Sequence, residues 1–238
     1  MAAMNPLYQI EAECMQCKRD FKTSRVRPSF KKSVRSDSDF CTYYKEDSEN
    51  PDFYVVKVCP YCGFAATDSF GKKITELQRK TFHEKIYSSW SQKDYGGRRT
   101  ISDAMVTYKL ALLCAQITGE GNRLIAGLLH HIAWLYRHMG EEENEKRFLR
   151  FAMDAYIQVY ETEGADLNNA RLMFLIGELH RRLKEYNDAV KWFGRVIQDK
   201  SIADAGMIRA CREGWLNTRE DMLAEQMELP EELQSVGK

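Results

Sequence analysis

"ARLMFLIGELHRRLKEYNDAVKWFGRVIQD" occupies residues 170–199 and carries two apolar periods separated by a polar turn. On both sides of "RRLKEYND" apolar residues recur every three to four positions, the period of an amphipathic helix and not of a strand. Gly177 sits inside the first period, where two helices of a hairpin approach most closely. Tyr186 precedes the second helix, and Ala189 and Phe193 follow along it. Small residues let helices touch, and the aromatic ring fills the space alongside them. The stretch reads as an α-hairpin, and it sets the class of everything downstream of Gly71.

Working outward from it, the same period predicts helices at roughly 72–91, 100–118, 123–139, 143–162, 168–183, 187–199 and 203–224. Glycine-containing breaks at "YGGRR", "TGEGN", "MGEEE" and "TEGADLN" separate the first five. Short loops imply antiparallel neighbours. Segment 170–199 resembles a tetratricopeptide repeat. Ala104, Tyr108 and Ala111 match more loosely, as do Ala133, Tyr136, Gly140, Leu149 and Ala152. Corresponding positions 104, 145 and 189 are 41 and 44 residues apart, longer than the roughly 34 usual for that repeat. An irregular superhelix is expected, with a plain helical bundle as the alternative.

Upstream, residues 1–70 read as short strands and loops. "LYQIEAE" (7–13) and "FYVVKVC" (53–59) have strand composition, with Pro28 and Pro51 as breakers between them. Apolar content is too thin for a segment of about 70 residues to fold without a staple. The expected architecture is therefore mainly α: a small zinc-ribbon-like β domain at 1–70, then tetratricopeptide-like hairpins at 71–238.

The staple is visible. "VCPYCG" (58–63) and "CMQC" (14–17) are two C-x2-C pairs, and Cys14, Cys17, Cys59 and Cys62 form a four-thiolate set. Each pair puts two sulfurs on one side of a tight loop, and together they complete a tetrahedron around zinc. Pro60 pre-sets the second turn, and Gly63 follows where positive φ and close backbone approach are needed. The first knuckle lacks both aids. A redox dithiol would need only one such pair at a helix N-terminus, and an iron–sulfur cluster uses similar ligands. A closed shell of four thiolates leaves no open coordination position, so the expected role is structural and not catalytic. Cys41 is a fifth thiol near the metal, a substitute ligand or, the favoured reading, a small buried hydrophobe. Cys114 and Cys211 fall on helical segments as core residues.

With Cys14/Cys17, "SDSDFC" (36–41) and "VCPYCGFAA" (58–66) ahead of repeat-like helices, the chain resembles a family of uncharacterised bacterial proteins catalogued as a domain of unknown function. The resemblance spans most of the chain. It implies a bacterial cytosolic protein with a metal-bound ribbon and a helical scaffold, and carries no activity with it.

Charge and hydropathy narrow the partners. Lys+Arg and Asp+Glu both number 35. The longest apolar run, "LALLCA" at 110–115, is far too short for a membrane span, so no membrane role and a cytoplasmic location are expected. Extending the repeat register places His130, Trp134, Arg137 and His138 on an inner face, followed by Arg171, Phe174, Glu178, Arg181 and Arg182. Arginine and aromatic side chains there suit a protein or peptide partner bearing carboxylates. A second metal site on "LLHHIAWLYRH" is disfavoured, because adjacent histidines point about 100° apart on a helix. His131 is expected to pack or cap, with the other two facing solvent or the groove.

Residues 18–35 offer another surface: Lys18, Arg19, Lys22, Arg25, Arg27, Lys31, Lys32 and Arg35 could contact nucleic-acid phosphates. Aromatic interleaving is limited to Phe21 and Phe30, and acids at 37–52 could neutralise the run from within. No nucleotide fingerprint or nucleophile–base set is legible. The leading expectation is a zinc-bound scaffold that binds a protein. A nucleic-acid module comes second, and an enzyme with an unrecognised site third.

Overall fold

The computed structural model describes residues 4–71, 73–163 and 169–228. Its chain divides into two compact units, 4–37 with 41–148 and 38–40 with 149–228. The protein is mainly α with a small N-terminal β region.

In the first unit, β1 (Leu7–Glu13) pairs antiparallel with β2 (Asp20–Val26), Leu7 opposite Val26 and Glu13 opposite Asp20. Two shorter ribbons follow: β3 (Ser33–Ser36) with β4 (Thr42–Tyr44), and β5 (Lys57–Val58) with β6 (Ala65–Ala66). The strand expected over 53–59 forms only at Lys57–Val58. Pro51 starts a 3-10 turn over Pro51–Tyr54, and the Asn50 side chain accepts from the Asp52 N–H to cap it.

Three helices complete this unit, and a fourth begins in it. Thr75 opens α1 (Glu76–Lys85) and Thr100 opens α2 (Ile101–Thr118), each through a reciprocal capping box with the residue three positions on. α1 is shorter than the helix expected over 72–91, since a 3-10 turn at Tyr87–Ser89 follows it, and residue 72 lies outside the described residues. Helix α3 (Asn122–Met139) ends on Gly140 at φ 73°, and α2 on Gly119 at φ 68°, the left-handed stop that glycine favours. α4 (Glu142–Glu163) starts in this unit and supplies the second from Leu149.

The compact units do not divide at residue 70, because the cysteine segment shares a core with α1 and α2. Phe64 packs edge-on against Phe82 at 5.4 Å, and the Ala65 N–H donates to Cys114 Sγ at 3.4 Å. Tyr108 Oη donates to the Asp52 carbonyl at 2.8 Å. Arg99, almost wholly buried, donates through Nη1 to the carbonyls of Phe53 and Val56 and through Nε to that of Tyr95, all at 2.8 Å. Fixing so much irregular backbone requires donors from outside it, and the helical segment provides them.

In the second unit α5 (Ala170–Arg182), α6 (Tyr186–Gln198) and α7 (Ala205–Ala224) pack on one another. Lys184 takes the left-handed conformation at φ 62° in the α5–α6 turn. The fully buried Phe193 ring fills the junction of all three helices. Residues 38–40 lie along α5. Among the described residues no helix is long and apolar enough to cross a membrane.

Candidate metal centre and flanking surfaces

The two knuckles are built alike. The Cys14 N–H donates to the Arg19 carbonyl at 3.0 Å and the Lys18 N–H to the Cys14 carbonyl at 2.9 Å. In the second knuckle the Cys59 N–H donates to Phe64 O and the Gly63 N–H to Cys59 O, both at 2.9 Å. Closing each loop demands a left-handed residue after its second cysteine. Gly63 meets the demand at φ 78°, and Lys18 meets it at φ 62° without glycine. Gly63 is doubly constrained, since a Cβ there would lie 2.6 Å from the Trp90 ring. Trp90 Nε1 donates to the Pro60 carbonyl at 2.9 Å, holding the indole over the knuckle.

Together the loops bring Cys14, Cys17, Cys59 and Cys62 within 4.8 Å of one another, the only such metal-holding group among the described residues. Cys14 and Cys62 Sγ are 3.6 Å apart, and Cys17 and Cys59 Sγ 3.7 Å. A tetrahedral ion with bonds of about 2.3 Å needs sulfur–sulfur edges of about 3.8 Å, so the four residues fit a single ion. Cys14, Cys59 and Cys62 are buried and Cys17 is partly exposed.

Protons are shared unevenly among the thiols. Contact with Cys14 pushes Cys62 far above the ordinary thiol range, and contact with Cys59 pushes Cys14 up to about 12. Hydrogen bonds from Cys14 and then Cys62 pull Cys59 down to about 2. Four thiolates cannot coexist at this distance without a cation to offset their repulsion.

Cys41 does not belong to the centre. It is fully buried, with Sγ 3.6 Å from His138 Nε2. Cys114 and Cys211 are buried as expected, and burial pushes each thiol up to about 12.

The residues expected along one groove fall in different units. In the first, His130 is buried and 4.6 Å from the Trp134 ring. His131 Nδ1 donates to the Gly127 carbonyl at 2.8 Å, and the ring stacks on Tyr108. Arg137 is not presented to solvent: it pairs with Asp37 at 2.9 Å and Glu145 at 2.7 Å. His138 packs edge-on with Tyr43 at 4.8 Å.

In the second unit Glu178 is fully buried. It accepts from Arg181 Nη2 at 2.8 Å and Ser38 Oγ at 2.5 Å, and lies 3.2 Å from Arg182 Nε. Arg182 Nη2 is 3.3 Å from Asp39 Oδ1. Phe40 lies between the Arg171 guanidinium, 4.6 Å from its centroid, and the Phe174 ring at 5.9 Å. These α5 side chains are therefore engaged by residues 38–40 of the same chain. The short run "SDF" showed no period and so gave no sign of this in the sequence.

The basic residues of 18–35 are largely engaged too. Arg25 pairs with Asp68, Lys32 with Asp47 and Arg35 with Asp37, while Lys18 reaches Glu13 at 3.4 Å. Arg27 donates to the Asn5 carbonyl and lies over Tyr8; Arg19 lies over Tyr61. Lys22 and Lys31 are exposed. Neutralisation from residues 37–52 accounts for Lys32 and Arg35.

No curated protein matches the chain. A family model described as an uncharacterized protein conserved in bacteria, DUF2225, matches residues 7–218, from β1 into α7, and the chain belongs to that family.

Proposed function

We propose that the protein is a non-enzymatic scaffold, stapled by a structural zinc ion at Cys14, Cys17, Cys59 and Cys62, whose tetratricopeptide-like hairpin binds an extended peptide. Sulfurs within 4.8 Å suit one tetrahedral ion better than an iron–sulfur cluster, whose ligands must stand around several irons. Four thiolates fill the coordination shell, which favours a staple over a catalyst.

The observation that supports the peptide reading is the seating of Ser38–Phe40 on α5. Arg182 faces the Asp39 carboxylate at 3.3 Å, and the Phe40 ring rests on Arg171 and Phe174. A face built this way selects a carboxylate followed by an aromatic ring, through charge-assisted pairing and cation–π contact. A partner presenting the same pair must displace the internal segment. In the cytosol that competition sets the threshold for binding.

A labelled "SDSDF" peptide tests this reading by fluorescence polarisation. The Asp39→Ala/Phe40→Ala protein is expected to bind it at least about tenfold more tightly than the parent chain, and adding Arg182→Glu is expected to remove binding. A folded double variant that ignores the peptide would refute the reading.

A further inference from the structure

Among the described residues β1 pairs with β2 on one side only. Bonds just beyond the ends of the ladder show which groups are left over. The Arg27 N–H donates to the Pro6 carbonyl at 2.9 Å and the Cys14 N–H to the Arg19 carbonyl at 3.0 Å, so the even-numbered residues of β1 bond inward. Antiparallel pairing alternates, which turns the N–H and C=O groups of Gln9, Glu11 and Glu13 outward. All three residues are exposed, and these groups have no partner among the described residues. The Leu7 N–H, which also points outward, is closed off by Asn5 Oδ1 at 3.0 Å, so the free donors begin at Gln9. Native edges are blunted by proline, lysine or a bulge, yet "LYQIEAE" has no proline or lysine and its register runs unbroken from Leu7 to Glu13. The outer side of β2 is covered by contrast: a Cβ on Gly96 would lie 2.6 Å from the Lys22 carbonyl oxygen.

Side chains beside the edge describe its occupant. Glu11 and Glu13 share one face of β1. Glu11 stands across from Lys22 yet pairs ionically with no described residue, and Glu13 reaches only the exposed Lys18, at 3.4 Å. Along this half of β1 lies an open cavity of about 260 Å³, whose lining joins Glu11 and Glu13 to the apolar side chains of Ala12, Phe21, Phe64 and Phe70. Lys57, the lysine of that lining, is already taken by Asp68. We propose that the β1 edge takes up an antiparallel extended strand of a partner protein, with lysine or arginine at alternate positions and apolar residues between them. The backbone of Gln9, Glu11 and Glu13 continues the ladder into that strand, its bases meet Glu11 and Glu13, and an apolar side chain enters the cavity. A second copy of this chain is the poorer occupant, because pairing of two β1 strands about Ile10 gathers the glutamates of both copies on one face. The edge belongs to the first unit and is independent of the α5 face, so its failure would leave the peptide reading untouched.

Fluorescence polarisation of a labelled Lys-Val-Lys-Ile-Lys-Val-Lys peptide with the metal-loaded protein tests the proposal. The peptide is expected to bind saturably, and at least about tenfold more tightly than its glutamate-for-lysine counterpart. Methylating the backbone nitrogens of its lysines, which face β1 in the antiparallel register, is expected to cost at least about tenfold as well. Glu11→Lys should weaken binding by a similar factor. Glu11→Pro should abolish it at unchanged metal content, since the lost N–H points outward and the bonds to β2 remain. Amide exchange locates the contact: Ile10 and Ala12 are expected to be protected with or without peptide, and Gln9, Glu11 and Glu13 only with it. Absence of saturable binding up to about 1 mM would overturn the proposal. So would equal binding of the methylated or glutamate peptide, or protection confined to residues outside β1. Dimerisation of the parent chain that Glu11→Pro abolishes would assign the edge to a second copy and overturn the basic partner.

Discussion

Phe193 lies against Gly177 so closely that a Cβ on the glycine would sit 2.7 Å from Cε1 of the ring. The contact with α7 is as tight, with a Cβ on Gly214 meeting Phe193 Cζ at 2.8 Å. The ring is fully buried and cannot swing away, so α5, α6 and α7 are spaced by one aromatic side chain and two absent methyl groups. Gly177→Ala and Gly214→Ala are each expected to cost about 1–3 kcal/mol by overpacking, despite alanine's better helix propensity. Denaturant melts check this, and a gain in stability for either variant would contradict the packing.

Metal removal bears on the first unit. Chelation or Cys59→Ser is expected to unfold the knuckles, since structural zinc sites contribute an apparent 10–16 kcal/mol of binding energy, roughly, to folding. Elemental analysis of the parent chain should find about one zinc per chain. Gly63→Ala should weaken metal retention because both φ and the Trp90 contact oppose a side chain. Metal-free protein with intact amide protection at 14–19 and 59–64 would remove the staple role.

Arg99 is expected to matter as much as a core hydrophobe. Burial lowers its pKa from the usual guanidinium value, yet its three carbonyl contacts organise the backbone before α2. Arg99→Ala leaves those carbonyls without their donor and should destabilise the protein by about 3 kcal/mol or more. Thermal denaturation of the metal-loaded variant measures it.

Acid sensitivity should appear at His138. Burial, and then the Arg137 charge, hold its pKa below the usual histidine value of 6.5. The unfolded chain therefore binds the proton more readily than the folded one. The contribution to stability is complete above about pH 6.5 and is lost as pH falls through the depressed folded value. Titration of the His138 ring protons by NMR should give a midpoint below that of an exposed histidine, and His138→Gln should flatten this part of the pH–stability curve.

Much of the architecture was legible because it depends on local periodicity. The hairpin at 170–199, the glycine stops after α2 and α3 and the β1 span follow from patterns that repeat within a few residues. The four ligands were equally legible, since each C-x2-C loop encodes its own geometry. Tyr186, Ala189 and Phe193 lie on the packed side of α6 as their spacing indicated, while Gly214 gave no comparable signal from a separate helix. His130, expected to face solvent or a groove, is buried instead, because the helical period alone does not tell which neighbour covers it.

By itself the sequence determined the helical class, the α5–α6 hairpin and the identity of the four cysteines, because helix period and knuckle spacing act over a few residues. Tertiary structure alone decided that residues 38–40 settle on α5, that Arg99 organises the loop at 53–56, and that Cys41 is buried beside His138 and not at the metal centre. Each joins groups dozens of residues apart, and such pairings are set by burial and by the need to satisfy buried polar atoms.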